Sequence, residues 1–167
     1  ICNHFNILHL STGDILRSEI ENKSHIGLEA KSFMDQGELV PDTVLLKIIQ
    51  NKLNHKSAQN GYLLDGFPRT IPQADGLNQI LLELKQALDV VVSLDANEEE
   101  LVNRLIKRSL DSGRSDDNPD IIKQRQRVYW KQTAPLLEYY KNLNLLKNVN
   151  GIGEIEQITK RILEAID

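Results

Sequence analysis

The residues of this chain best suited to chemistry are a set of arginines, Arg17, Arg69, Arg104, Arg108, Arg114 and Arg125, and one carboxylate, Asp65, that ends an apolar run. In Leu63-Leu64-Asp65-Gly66-Phe67-Pro68-Arg69-Thr70 the apolar residues fit a buried strand whose last side chain emerges at the carboxyl edge of a sheet. Gly66 lets a ligand approach the backbone, Pro68 stiffens the turn, and Arg69 offers a planar fork of donors. Several arginines around an acidic strand end point to multiply charged phosphate groups, with Asp65 addressing a hydrated Mg²⁺. Each feature also has a plainer explanation. Residues 63–70 could be a strand, a turn and a surface arginine; Thr12 and Asp14 could cap a helix; Arg104 and Arg108, one turn apart, could be solvated.

The elements that must position these residues alternate along the chain. Ile7 to Leu10 reads as a short strand, and Ser11-Thr12-Gly13-Asp14 turns the chain into a helix running to about Glu21. A second helix, His25 to Gln36, has its apolar face at Ile26, Ala30 and Phe33 and is stopped by Gly37. Glu38 to Pro41 is an extended connector, and Asp42 and Thr43 open a helix with Val44, Leu45, Ile48, Ile49 and Leu53 inward. Thr70 caps a helix from about Pro72 to Ala87, and Val90 to Asp95 is a β-branched strand expected to be buried on both faces. Asn97 opens the helix that carries Arg104 and Arg108; residues 111–119 form a polar loop. Asn118 and Pro119 start one long helix to about Asn142, whose aromatic residues are expected to pack in a core or an interface. Leu145 to Val149 is a last strand, and Ile155, Ile158, Ile162 and Ile166 define a closing amphipathic helix. Strands separated by helices, with no hairpin and no repeat, predict an α/β protein with a mainly parallel three-layer sheet.

Composition narrows the class. The 167 residues suit a single domain; 40% are apolar and 26% charged, as in ordinary globular proteins. A net charge of -4 argues against a general nucleic-acid binder. One cysteine, Cys2, rules out an internal disulfide, and no apolar run reaches membrane-spanning length, so the expectation is a cytoplasmic protein with no membrane partner. The chain starts Ile1-Cys2-Asn3-His4 and its only methionine is Met34, so a preceding segment is expected.

Four motifs then occur in order: His9-Leu10-Ser11-Thr12-Gly13-Asp14-Ile15-Leu16-Arg17, Gly37-Glu38-Leu39-Val40-Pro41, Leu64-Asp65-Gly66-Phe67-Pro68-Arg69 and Ser112-Gly113-Arg114-Ser115-Asp116-Asp117-Asn118. In residues and spacing the chain resembles the adenylate kinases over essentially its whole length. The loop between Arg108 and Asn118 has no Cys or His ligands and resembles the short-lid form. The resemblance implies a nucleoside monophosphate kinase fold of the P-loop NTPase type and reversible phosphoryl transfer from ATP to AMP, with Mg²⁺, by a monomer. It assigns Thr12 and Arg17 to AMP, the backbone of Glu38, Leu39 and Val40 to its adenine, and Gly66, Phe67, Pro68, Arg69 and Gln73 to its base and phosphate. Arg114 and Arg125 would bridge the phosphate chains at transfer, with Arg69 and Asp65 in the catalytic set. Arg108 and Arg104 would lie on the ATP side, and the carbonyl of Gly153 would read the ATP base. Residues 11–40 correspond to a nucleotide-monophosphate subdomain and 108–118 to the lid. Thr12 favours AMP over the pyrimidine acceptors of the related UMP/CMP kinases, which are the nearest alternative.

The departure from the family pattern is the phosphate loop. No G-x-x-x-x-G-K-[ST] occurs in these residues, and neither does the strand that precedes it in the family. That strand lies in the middle of the family's sheet, so the strands at 62–65 and 90–94 are expected to be left unpaired with each other. Alone, the 167 residues are expected to be inactive. A catalytically inactive nucleotide-binding or interaction module is therefore the second alternative, against which the joint presence of Arg69, Arg114 and Arg125 argues.

Overall fold

The structure, a computed structural model, describes residues 1–112 and 118–166. A single helical turn, α1 (Cys2–Phe5), closes on Asn6 in the left-handed region and leads into β1 (Leu8–Ser11). Ser11 caps α2 (Thr12–Glu21) by accepting the Asp14 amide at 3.3 Å, and Ser24 caps α3 (His25–Asp35) by accepting the Gly27 amide at 3.0 Å. Gly37, at φ 71°, ends that helix. The connector then enters α4 (Asp42–Leu53), whose buried face is Leu45, Ile48, Ile49 and Leu53.

After a 3₁₀ turn (Lys56–Ala58), β2 (Tyr62–Asp65) pairs in parallel with β1, Leu8 opposite Tyr62 and Ser11 opposite Asp65. The Phe67–Pro68 bond is cis. Thr70 caps α5 (Ile71–Glu83), and β3 (Val91–Asp95) follows. The remaining elements are α6 (Glu98–Ser112), α7 (Pro119–Val128), α8 (Pro135–Asn142), β4 (Leu146–Asn150) and α9 (Ile155–Ile166). β4 pairs in parallel with β3, Val91 opposite Leu146. The two parallel pairs do not join among the described residues, as the resemblance implies for β2 and β3.

Helices bridge the pairs. Leu10, Phe67, Leu77 and Leu81 belong to the main core with residues of α2, α3 and α4. Ala74 of α5 packs with Leu136 and Tyr140 of α8, beside Val91 and Leu146, so α5 touches both pairs. Val149, Ile158 and Ile162 close the far side.

Several expectations need correction. The helix opening at Asn118 is not continuous to Asn142: Tyr129–Thr133 form a π-helical segment in which the Ala134 amide reaches back to the Tyr129 carbonyl at 2.9 Å. Pro135 has no N–H to continue the α ladder, which is the physical reason for the break. Of the aromatic residues expected in a core or an interface, Tyr140 is in the core, whereas Tyr129 and Trp130 are not, Trp130 being 69% exposed. β3 is half-buried, with Leu94 50% exposed, because its only ladder among the described residues is to β4. Finally, Ile155 is exposed, and α5 ends at Glu83 rather than near Ala87, where Lys85 turns left-handed and Gln86 bonds back to Leu81.

Candidate functional site

The carboxyl ends of β1 and β2 bring Thr12 and the Asp65–Arg69 turn together. Thr12 is buried, and its hydroxyl donates to the Gly66 carbonyl at 3.0 Å; the Arg69 Nε donates to the same oxygen at 3.0 Å. Gly66 has φ 71°, and a Cβ there would lie 3.3 Å from both the Thr12 hydroxyl and an Arg69 terminal nitrogen. Glycine is thus required twice, by the backbone angle and by the closeness of two functional side chains. The Arg69 backbone is held as tightly. Its amide donates to Gln73 Oε1 at 2.7 Å, and its carbonyl accepts the Thr133 hydroxyl at 2.9 Å.

Arg17 lies one turn beyond Thr12, half-buried over Gly13, and pairs with Asp14 at 2.5 Å. The Glu38–Val40 connector joins this cluster from α7: the Gln124 amide donates to Glu38 at 2.6 Å, and the stem of Arg125 lies 3.2 Å from where a Gly37 Cβ would stand. Phe67 and Val40 turn their side chains into the core, leaving only their backbones for a ligand. Gln73 is completely buried, with its amide engaged between Arg69 and Asp42.

A second group forms at the ends of β3 and β4. Arg104, on α6, pairs with Glu100 at 2.6 Å and donates to the Gly153 carbonyl at 3.4 Å. Arg108 lies one turn further along the same helix, half-buried. Arg114 lies outside the described residues, as do residues 113–117 of the expected lid.

Asp65 is exposed at the end of β2, with one carboxylate oxygen 3.2 Å from His9 Nε2. No cluster of three or more metal-ligating side chains occurs among the described residues. A lone, open carboxylate fits a Mg²⁺ that keeps its water shell and takes its other ligands from phosphates, and does not fit a protein cage.

Sequence reasoning missed Thr133 and Gln124, and gave Asp42 and Thr70 only helix-start roles. Their partners lie 28 to 86 residues away; the local signal was a polar side chain beside a helix end for Asp42, Thr70 and Thr133, and there was none for Gln124 in the middle of α7.

Parallel strands wrapped by helices, with paired arginine groups at the strand ends, define an α/β fold of the nucleoside monophosphate kinase type. The adenylate kinase family model matches residues 1–145. The chain is 49% identical over 162 residues to an adenylate kinase of Leptospira biflexa, covering 97% of this chain and 87% of that protein. It is 46% identical to one from Bacteroides fragilis, covering all of this chain and 88% of the relative, and 43% identical to one from Nocardioides, covering all and 87%. The chain belongs to the adenylate kinase family, a family of phosphotransferases.

Proposed function

We propose that the protein transfers a phosphoryl group reversibly between ATP and AMP, giving two ADP. The carrying observation is the joint fixation of Thr12, Gly66 and Arg69 at one strand end, with Arg125 delivered beside Gly37 from α7.

An AMP phosphate oxygen attacks the ATP γ-phosphorus in line while the bond from that phosphorus to the β,γ-bridging oxygen breaks. No protein nucleophile is needed, so the chain's work is alignment and charge. Arg69 and Arg17 hold the acceptor phosphate; Arg125, with Arg114, spans acceptor and donor; Arg108 and Arg104 serve the donor side, with the Gly153 carbonyl at its base. Asp65 would hold a hydrated Mg²⁺ through its water shell, and that ion would supply neutralisation of phosphate charge. Glu38 to Val40 run along the acceptor base, and Thr12 sets the preference for adenine over a pyrimidine. Residues 11–40 act as a mobile acceptor subdomain and 108–118 as a lid that excludes water. By the family resemblance the protein acts as a cytoplasmic monomer.

The 167 residues hold no phosphate-loop motif, so acceptor binding is the direct test on this chain. Calorimetric titration should rank AMP above UMP and CMP, and Arg69→Ala should weaken AMP by about 10–100-fold, the worth of hydrogen bonds to a charged group. Equal binding of the three nucleotides, or unchanged affinity in Arg69→Ala, would sink the assignment.

A further inference from the structure

We infer that Asp42 is a positioning residue for the acceptor site, fixing the backbone of Arg69 through the buried amide of Gln73. The inference rests on the reading of Arg69 as an acceptor-phosphate ligand.

Asp42 opens α4, but its carboxylate does not cap that helix. The N-cap residue is Pro41, with no side-chain cap bond. Both oxygens instead reach across to the start of α5. Oδ2 accepts the Thr70 hydroxyl at 3.1 Å, and Oδ1 accepts the Gln73 side-chain amide at 2.7 Å. Thr70 in turn accepts the Gln73 backbone amide at 3.1 Å, and Gln73 Oε1 accepts the Arg69 amide at 2.7 Å.

Every donor in this network points toward the carboxylate, so its direction is set at Asp42. Gln73 is completely buried and sits between an acceptor-only group and a donor-only group. A flipped amide would set N–H against N–H at Arg69 and oxygen against oxygen at Asp42. The acid therefore decides which end of the amide faces Arg69. It also follows directly on the Glu38–Pro41 connector, so the segment assigned to the acceptor base and the turn assigned to its phosphate share one anchor.

The plainer account is that Asp42 is an acid favourably placed in the first turn of a helix. Two substitutions separate the accounts. Asp42→Ala removes the acceptors and the charge; Asp42→Asn removes the charge but keeps a carbonyl that can face Gln73. Positioning predicts that D42A speeds hydrogen exchange at the Arg69 amide by at least about tenfold and weakens AMP binding by a similar factor. D42N should keep both within about threefold of the unaltered chain. A helix-charge role predicts that D42A and D42N behave alike and leave the Arg69 amide untouched, and either result would overturn the inference. Should D42A not fold, Asp42→Ser, whose hydroxyl is too short to reach Gln73, replaces it in the same comparison. Failure of the unaltered chain to bind AMP would count against the phosphate-ligand reading itself, while the exchange measurement would still decide whether Asp42 fixes Arg69.

Discussion

Replacing Gly66 by alanine tests the turn and the acceptor site at once. The residue has φ 71°, where a side chain costs about 1–2 kcal/mol. The new Cβ would stand 3.3 Å from the Thr12 hydroxyl and from an Arg69 terminal nitrogen, so one of them must move by a few tenths of an ångström. If Thr12 moves, its 3.0 Å bond to the Gly66 carbonyl is lost, at about 0.5–1.5 kcal/mol. The variant should therefore lose about 1.5–3.5 kcal/mol, a fall in Tm of about 3–14 °C for a domain of this size. Urea unfolding gives the first quantity, and AMP titration of the folded variant gives the second, an affinity expected to drop about tenfold. A stability loss below about 0.5 kcal/mol would refute the strained-turn argument. The full stability loss with unchanged AMP affinity would refute the placement of Thr12 and Arg69 around the acceptor.

Two further substitutions address the fold. In Gly27→Ala the Cβ would lie 2.1 Å from the Glu19 carbonyl oxygen, which is backbone and cannot step aside, so the α2–α3 packing should fail with a loss of more than about 3 kcal/mol in urea unfolding; a loss under 1 kcal/mol would disprove the close approach. Tyr140 is 2% exposed, its hydroxyl has no partner among the described residues, and burial first, then Tyr139 and Asp75, push its phenol up to about 12. The unfolded phenol ionises near 10, so this group's stabilising contribution is complete below about pH 10 and is lost at about 1.4 kcal/mol per pH unit as pH rises toward 12. Tyr140→Phe should thus leave stability at pH 7 unchanged or raise it by up to about 1 kcal/mol, and flatten the loss between pH 10 and 11; a destabilised variant would show that the hydroxyl has a partner after all.

Local chemistry made much of the fold legible. Ser11, Thr70, Asn97 and Asn118 each accept helix-start amides, Gly37 turns left-handed, and the alternation of strands and helices yields parallel pairs. What escaped was set by distant partners. Nothing in the spacing of Tyr129 and Trp130 tells that they face solvent; that follows from the π segment before Pro135, which turns Thr133 toward Arg69. Asp42 reads locally as a helix start, and only the fold places Thr70 and Gln73 against it. The site motifs were legible for a different reason: close approach of a ligand to backbone demands particular residues at fixed spacing, and Gly66, with Thr12 and Arg69 both against it, is such a place.

The proposed acceptor and donor groups ride on different strand pairs, the first on β1–β2 and the second at the ends of β3–β4. No ladder joins these pairs among the described residues, so here sheet hydrogen bonds do not fix the distance between the groups. Packed contacts between helices do, with the Thr133 hydroxyl on the Arg69 carbonyl. Ala74 of α5 against Leu136 and Tyr140 of α8 ties the bodies of the pairs together. At the site itself, α7 lies on the Gly37–Glu38 turn so closely that a Cβ on Gly37 would be 3.2 Å from Ile121 and Arg125, with Gln124 bonded to Glu38. Arg125 is thereby carried to the acceptor side by a helix whose chain continues into α8 and β4. Transfer between two bound phosphates demands alignment above all, and α7 is the element through which one half of the site is registered against the other.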